Sequence, residues 1–68
     1  MPNQATIDSV KEKLTTVRAE EAEALRRAHH LRAMSDSYAE IRAAMQDVSR
    51  IHSRVENLQH ELTDLKHG

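Results

Sequence analysis

The stretch that decides the fold is residues 41–65, IRAAMQDVSRIHSRVENLQHELTDL, in which apolar residues recur at alternating steps of three and four. The first half of the chain carries the same repeat, beginning at Ile7. A stripe this narrow is typical of a helix that pairs with another helix, because it is too thin to cover a larger core. In the two halves together, fifteen of the sixteen stripe positions are apolar, in a chain that is 38% apolar. These positions, termed the seam, are Ile7, Val10, Leu14, Val17, Glu21, Ala24, Ala28, Leu31, Ile41, Ala44, Val48, Ile51, Val55, Leu58, Leu62 and Leu65.

Charged residues beside the seam favour an antiparallel alignment of the two halves. With Ile7 and Ile41 at heptad position a, the g positions of the two halves, termed the g flank, face each other in an antiparallel pair. Laying Ile7 beside Leu65 produces three pairs of opposite charge, whereas a slip of one heptad or a parallel in-register dimer brings like charges together. The pairs are Lys13 with Glu61, Glu20 with Arg54, and Arg27 with Asp47. Each exposed pair contributes only about 0.2–1 kcal/mol, so these charges select the register and do not supply the stability.

Two architectures share this alignment: a hairpin formed by one chain, and an antiparallel homodimer of long continuous helices. The step from Leu31 to Ile41 is one residue shorter than an unbroken heptad requires, so a continuous helix would have to be overwound there. Basic residues cluster just before the centre of the chain and acidic ones follow it, and Ser37 with Glu40 has the spacing of a capping box. Residues 34–37, however, contain neither Gly nor Pro and can all be helical.

We expect an all-α fold, an antiparallel coiled coil that forms a single domain over residues 1–68. The favoured form is a hairpin with a helix at about 6–33, a turn at about 34–37 and a helix at about 38–66; the alternative is the rod dimer. A two-helix hairpin of 68 residues has little interior. We therefore expect it to associate further, with itself or with helices of another protein.

The composition argues against several other classes of protein. The chain has one Tyr and neither Phe nor Trp, so it lacks an aromatic core. The absence of cysteine excludes disulfides and thiolate metal sites. Together with the lack of a long apolar run, this predicts an intracellular, cytoplasmic protein with no membrane span or secretory signal. A net charge of -1 is not a signature of nucleic-acid binding.

Histidine is the one residue type that invites a catalytic or metal-binding interpretation. His52, Glu56, His60 and Asp64 follow one another at steps of four, and two imidazoles with a carboxylate can hold zinc. Three of these positions face water in the heptad, where neighbours four residues apart need no metal to explain them. Neither a glycine-rich phosphate loop nor an activated nucleophile is present. We expect no enzyme, and no catalytic residue, metal or cofactor.

Glu21 is the one charged residue of the seam, and in the antiparallel register it is opposite Ile51. A polar seam residue can specify the register or the partner at a cost in stability. Its carboxylate can equally lean out into solvent, because the seam of a two-stranded coil is only partly closed. The neighbouring layers contain small residues that let the helices approach closely, namely Ala24, Ala28 and Ala44.

The e positions of the heptad, termed the e edge, differ from the g flank. Their charged residues are basic, and Leu25 and Met45 form an apolar centre. Such an edge can dock another copy, an acidic partner helix or a phosphate backbone. Alternatively it is solvated, with the Lys and Arg stems merely covering the seam. The candidate docking residues are Lys11, Arg18, Leu25, Arg32, Met45 and His52, and the edge continues to Gln59 and Lys66.

These features predict a non-catalytic coiled-coil structural or adaptor protein that assembles with itself or with helices of a larger complex. The alternative is a small regulatory RNA-binding protein, in which two hairpins form a four-helix bundle and present basic residues. In length and hairpin plan the chain resembles the Rop family of RNA-binding plasmid copy-number regulators, a likeness of plan without a matching motif. A nucleic-acid binder should lose affinity steeply with salt, whereas an apolar helix partner should not.

Overall fold

The computed structural model describes residues 4–67, which form two long helices joined by a short turn. Helix α1 spans Gln4–Met34 and helix α2 spans Tyr38–His67. The first half of α1 packs against the second half of α2, so the helices are antiparallel, and the molecule measures 53 × 14 × 10 Å. A continuous helix of the whole chain would be roughly 100 Å long. The chain is therefore an all-α hairpin, which confirms the favoured fold and not the long rod.

Ser35 and Ser37 make the hydrogen bonds that end α1 and begin α2 at the turn, which consists of residues 35–37. The Ser35 N–H donates to the Leu31 carbonyl at 2.8 Å and completes the last turn of α1. The Glu40 N–H donates to Ser37 Oγ at 3.3 Å, so Ser37 is the N-cap of α2. Ser35 Oγ accepts the Ser37 N–H at 3.1 Å and donates to the Glu40 carboxylate at 3.0 Å. Since no described residue has a positive φ, this turn closes without a glycine.

The interior of the hairpin is the seam, because all sixteen seam side chains are buried or half-buried. Near the open end, Leu14, Val17 and Val55 form a buried cluster, and partly buried apolar residues pack against it: Ile51, Leu58 and Leu62. Toward the turn the buried residues are alanines, namely Ala24, Ala28 and Ala44. Their methyl groups allow close approach of the helices but bury little apolar surface. Packing is therefore strongest at the open end.

Candidate docking edge

The e edge has an exposed apolar centre. Leu25 is 41% exposed and Met45 is 45% exposed. They belong to opposite helices and are level with each other in the antiparallel register, beside the alanine layers of the seam. A pair of large apolar side chains on the surface of a helix pair is a typical contact for a further helix.

The lysine and arginine side chains of the e edge make no ion pair within residues 4–67. Lys11, Arg18 and Arg32 are exposed. Within residues 4–67, no carboxylate oxygen lies within 4 Å of their charged nitrogens. These cations can therefore pair with carboxylates of another molecule without first losing an ion pair of their own.

Glu21 extends from the seam to the e edge, where it contacts His52. Its Oε2 lies 2.7 Å from His52 Nδ1 on the other helix, and the Glu21 side chain is only 22% exposed. His52 Nε2 lies 3.0 Å from Glu56 Oε1, one turn further along α2. A neutral imidazole carries a single N–H, so donation to both carboxylates requires the doubly protonated form. In that form His52 links the two helices.

The pKa of His52 is raised above its ordinary value of 6.5, first by the hydrogen bond to Glu21 and then by the negative charge of Glu56. Because folding favours the protonated imidazole, the resulting stabilisation is fully present below about pH 6.5. It is lost as the pH rises through the raised value. Arg18 occupies the facing e position. Protonation of His52 under mildly acidic conditions therefore adds a second positive charge to this end of the e edge.

Glu21 therefore follows neither simple alternative drawn from the sequence, since it leans outward and yet has a specific partner. Sequence reasoning did not identify His52 as that partner. The signal was present in the register, because His52 follows Ile51, the residue opposite Glu21. What the heptad alone did not indicate was the direction in which the carboxylate would leave the seam.

Sequence reasoning also missed Tyr38 as a member of the e edge. Tyr38 begins α2, is 75% exposed and lies one heptad before Met45, at the level of Arg32. Arg42, one turn further along α2, is exposed on the same side. The signal was the heptad itself, continued back from Met45 to the border of the predicted turn. Near the turn, the e edge therefore presents an aromatic ring level with Arg32, and Arg42 lies beside the edge.

The structure brings one of the three predicted charge pairs of the g flank into contact. Arg54 Nη1 lies 3.7 Å from Glu20 Oε2 across the helices. Asp47 instead lies 3.6 Å from Arg50, three residues away on its own helix. In the described part of the chain, the other predicted members make no ion pair within 4 Å: Lys13, Arg27 and Glu61.

A shallow groove of about 520 Å³ lies between the helices on the g flank. Seam residues Val17 and Leu58 line it together with seven polar residues, and the Glu20 and Arg54 ion pair belongs to its wall. Its lining carries charges of both signs, whereas the e edge presents an apolar centre between cations that make no ion pair among the described residues.

Of the residues His52, Glu56, His60 and Asp64, which follow one another at steps of four on α2, only the first two are in contact. His52 meets Glu56, but His60 and Asp64 are exposed side chains without an ion pair among the described residues. Over residues 4–67, no group of three or more His, Asp and Glu side chains is placed to hold a metal ion. Neither described helix has the length and apolar content needed to cross a membrane.

Comparisons of the chain with protein-family models, with curated proteins and with solved structures gave no match. The geometry of the hairpin and of its two flanks is therefore the basis for a functional proposal.

Proposed function

We propose that this protein is a non-catalytic structural adaptor whose e edge docks against a further helix, either of another copy or of a larger complex. The observation that carries the proposal is the exposed pair Leu25 and Met45, set between the unpaired cations Arg18 and Arg32. A helix with an apolar stripe would cover both kinds of group. A phosphate backbone would use the cations and leave the apolar pair in water, so the apolar centre favours a helix.

The surface area of the hairpin supports the proposal. The chain exposes 5234 Å² for a mass of 7.8 kDa. A compact monomer of this mass exposes about 4400 Å². The difference is roughly 800 Å², which is about what each partner contributes to an interface of ordinary size. Covering one long face would bring the hairpin to the surface area typical of a folded protein.

The small interior gives a second reason for a partner. The described residues include seven buried apolar side chains, three of them alanines. Each of the seven keeps 3–8% of its surface exposed. Small domains with so little interior usually gain stability from association. A helix docked on Leu25 and Met45 would bury apolar surface next to the alanine layers, where the hairpin itself buries least.

The test replaces the apolar centre by charge, in the variant Leu25→Glu with Met45→Glu. The parent should sediment above its chain mass of 7.8 kDa, either alone or with a synthetic amphipathic helix whose apolar stripe is bordered by glutamates. The variant should remain at the chain mass in both samples. Its helix content, measured by circular dichroism, should equal that of the parent, because both side chains lie beside the seam.

Met34→Glu is the matched control, since Met34 is an apolar side chain, 75% exposed, at a g position outside the e edge. It should assemble like the parent. A parent that stays at the chain mass in both samples would overturn the proposal. So would a Leu25→Glu, Met45→Glu variant that assembles as well as the parent does.

A further inference from the structure

We infer that the partner of the e edge is an amphipathic helix of another protein, with an acidic residue one heptad before and one heptad after a central apolar residue. This inference rests on the proposed function and specifies the chemistry of the partner. It excludes a second copy of this chain as the occupant of the e edge.

The e edge presents three layers at regular spacing. Arg18, Leu25 and Arg32 follow one another at one-heptad intervals along α1, which correspond to about 10 Å each. On α2, His52 is level with the first, Met45 with the second and Tyr38 with the third. A helix lying along the e edge therefore meets cation, apolar pair and cation in turn, and its own heptad positions match this spacing.

The free charges at the e positions of these layers are positive. The carboxylates of Glu21 and Glu56 both contact His52, at 2.7 and 3.0 Å, so they are already engaged. In the described chain, Arg18, Arg32 and Arg42 have no carboxylate within 4 Å. Acidic side chains on the incoming helix complement them, whereas basic ones meet repulsion from the outer layers.

The same charges oppose the pairing of two e edges. If two copies lie antiparallel about Leu25, Arg18 of each copy faces Arg32 of the other. If they lie parallel, Arg32 of both copies lies at one level, and so does Arg18 of both copies. Pairing the e edge with the g flank of another copy would set its cations against a flank that carries charges of both signs, and it would extend into an open chain of copies. An acidic helix from a different protein avoids all three problems.

The test measures binding of two helical peptides by titration calorimetry. Both have the same apolar stripe with a central leucine, and they carry either Glu or Lys one heptad to each side of it. The parent should bind the Glu peptide at least roughly tenfold more tightly than the Lys peptide, because two attractive contacts replace two repulsive ones. The variant Arg18→Glu with Arg32→Glu should reverse this preference.

Arg50→Glu is the control variant, since Arg50 is an exposed arginine away from the e edge that contacts Asp47. It should keep the preference of the parent for the Glu peptide. Equal affinity of the parent for both peptides would overturn the inference. A parent that forms dimers which the Leu25→Glu, Met45→Glu variant cannot form would also overturn it, because a second copy would then occupy the e edge. Either result is compatible with the proposed function. A parent that neither self-associates nor binds either peptide would overturn both the proposed function and this inference.

Discussion

Reversing the charges of Glu20 and Arg54 tests the register of the hairpin directly. These residues form the cross-helix ion pair of the g flank, with Arg54 Nη1 3.7 Å from Glu20 Oε2. Glu20→Lys alone places two cations together, and Arg54→Glu alone places two carboxylates together. The double variant forms the pair again with opposite polarity, so it should recover the stability that each single change loses.

The magnitude follows from the exposure of the pair. The two side chains are 61% and 49% exposed, which places the interaction among surface ion pairs worth about 0.2–1 kcal/mol. A single reversal replaces attraction by repulsion and so costs roughly twice that amount. For a mid-range pair, each single variant should lose about 1 kcal/mol, equivalent to about 4–8 °C in Tm for a domain of this size. The coupling energy of the cycle should then be on the order of 2 kcal/mol.

Urea titration followed by circular dichroism measures the four free energies of unfolding, at one protein concentration because association changes apparent stability. Arg27→Glu with Asp47→Lys is the matched control cycle, since these residues have the same g-to-g relation but Asp47 contacts Arg50 instead. Its coupling energy should be smaller. Raising the salt concentration to roughly 1 M should reduce the coupling at positions 20 and 54 by screening. If the two single changes there simply add, within about 0.5 kcal/mol, the residues do not meet and the register is wrong.

Three further predictions concern the core, the turn and the helix link. Leu14→Ala removes a side chain that is 7% exposed, and it should lower the free energy of unfolding by about 2–5 kcal/mol, a large part of the total. Urea titration measures this loss, and a loss below about 1 kcal/mol would contradict the described core. Ser37→Ala removes the acceptor of the Glu40 N–H and should cost about 1 kcal/mol in thermal unfolding, whereas an unchanged Tm would mean that Ser37 does not cap α2. Glu21→Gln should lower the pKa of His52 toward 6.5 in an NMR titration and should weaken the rise in hairpin stability as the pH falls through that pKa; an unchanged titration would show that the cross-helix contact is absent.

Much of the hairpin could be predicted because a heptad is a local pattern with a global consequence. The spacing of Ile7, Leu14 and their equivalents determines which side chains share one face of a helix, whatever that face meets. The structure buries or half-buries those same sixteen side chains. The e edge was predictable for the same reason, since Leu25 and Met45 occupy fixed positions beside the seam.

The individual polar contacts could not be predicted in the same way. Several partners are within reach of each exposed side chain, and the differences in free energy between them are small. Asp47 illustrates this, because it contacts Arg50 on its own helix and not Arg27 across the pair. Glu21 illustrates it as well, since its bond to His52 depends on how far a seam carboxylate can lean out between two particular helices.

By itself, the sequence determined the periodicity, the antiparallel sense of the pairing and the identity of the two flanks, because all three follow from residue type and spacing along a helix. Only the tertiary structure decided between a hairpin and a long rod. Residues 34–37 can be helical or not, and local propensity without Gly or Pro does not decide between the two. Packing of α1 on α2 within one chain favours interrupting the helix at residues 35–37. The Ser35 and Ser37 hydroxyls then accept hydrogen bonds from two backbone N–H groups that this interruption exposes, those of Ser37 and Glu40.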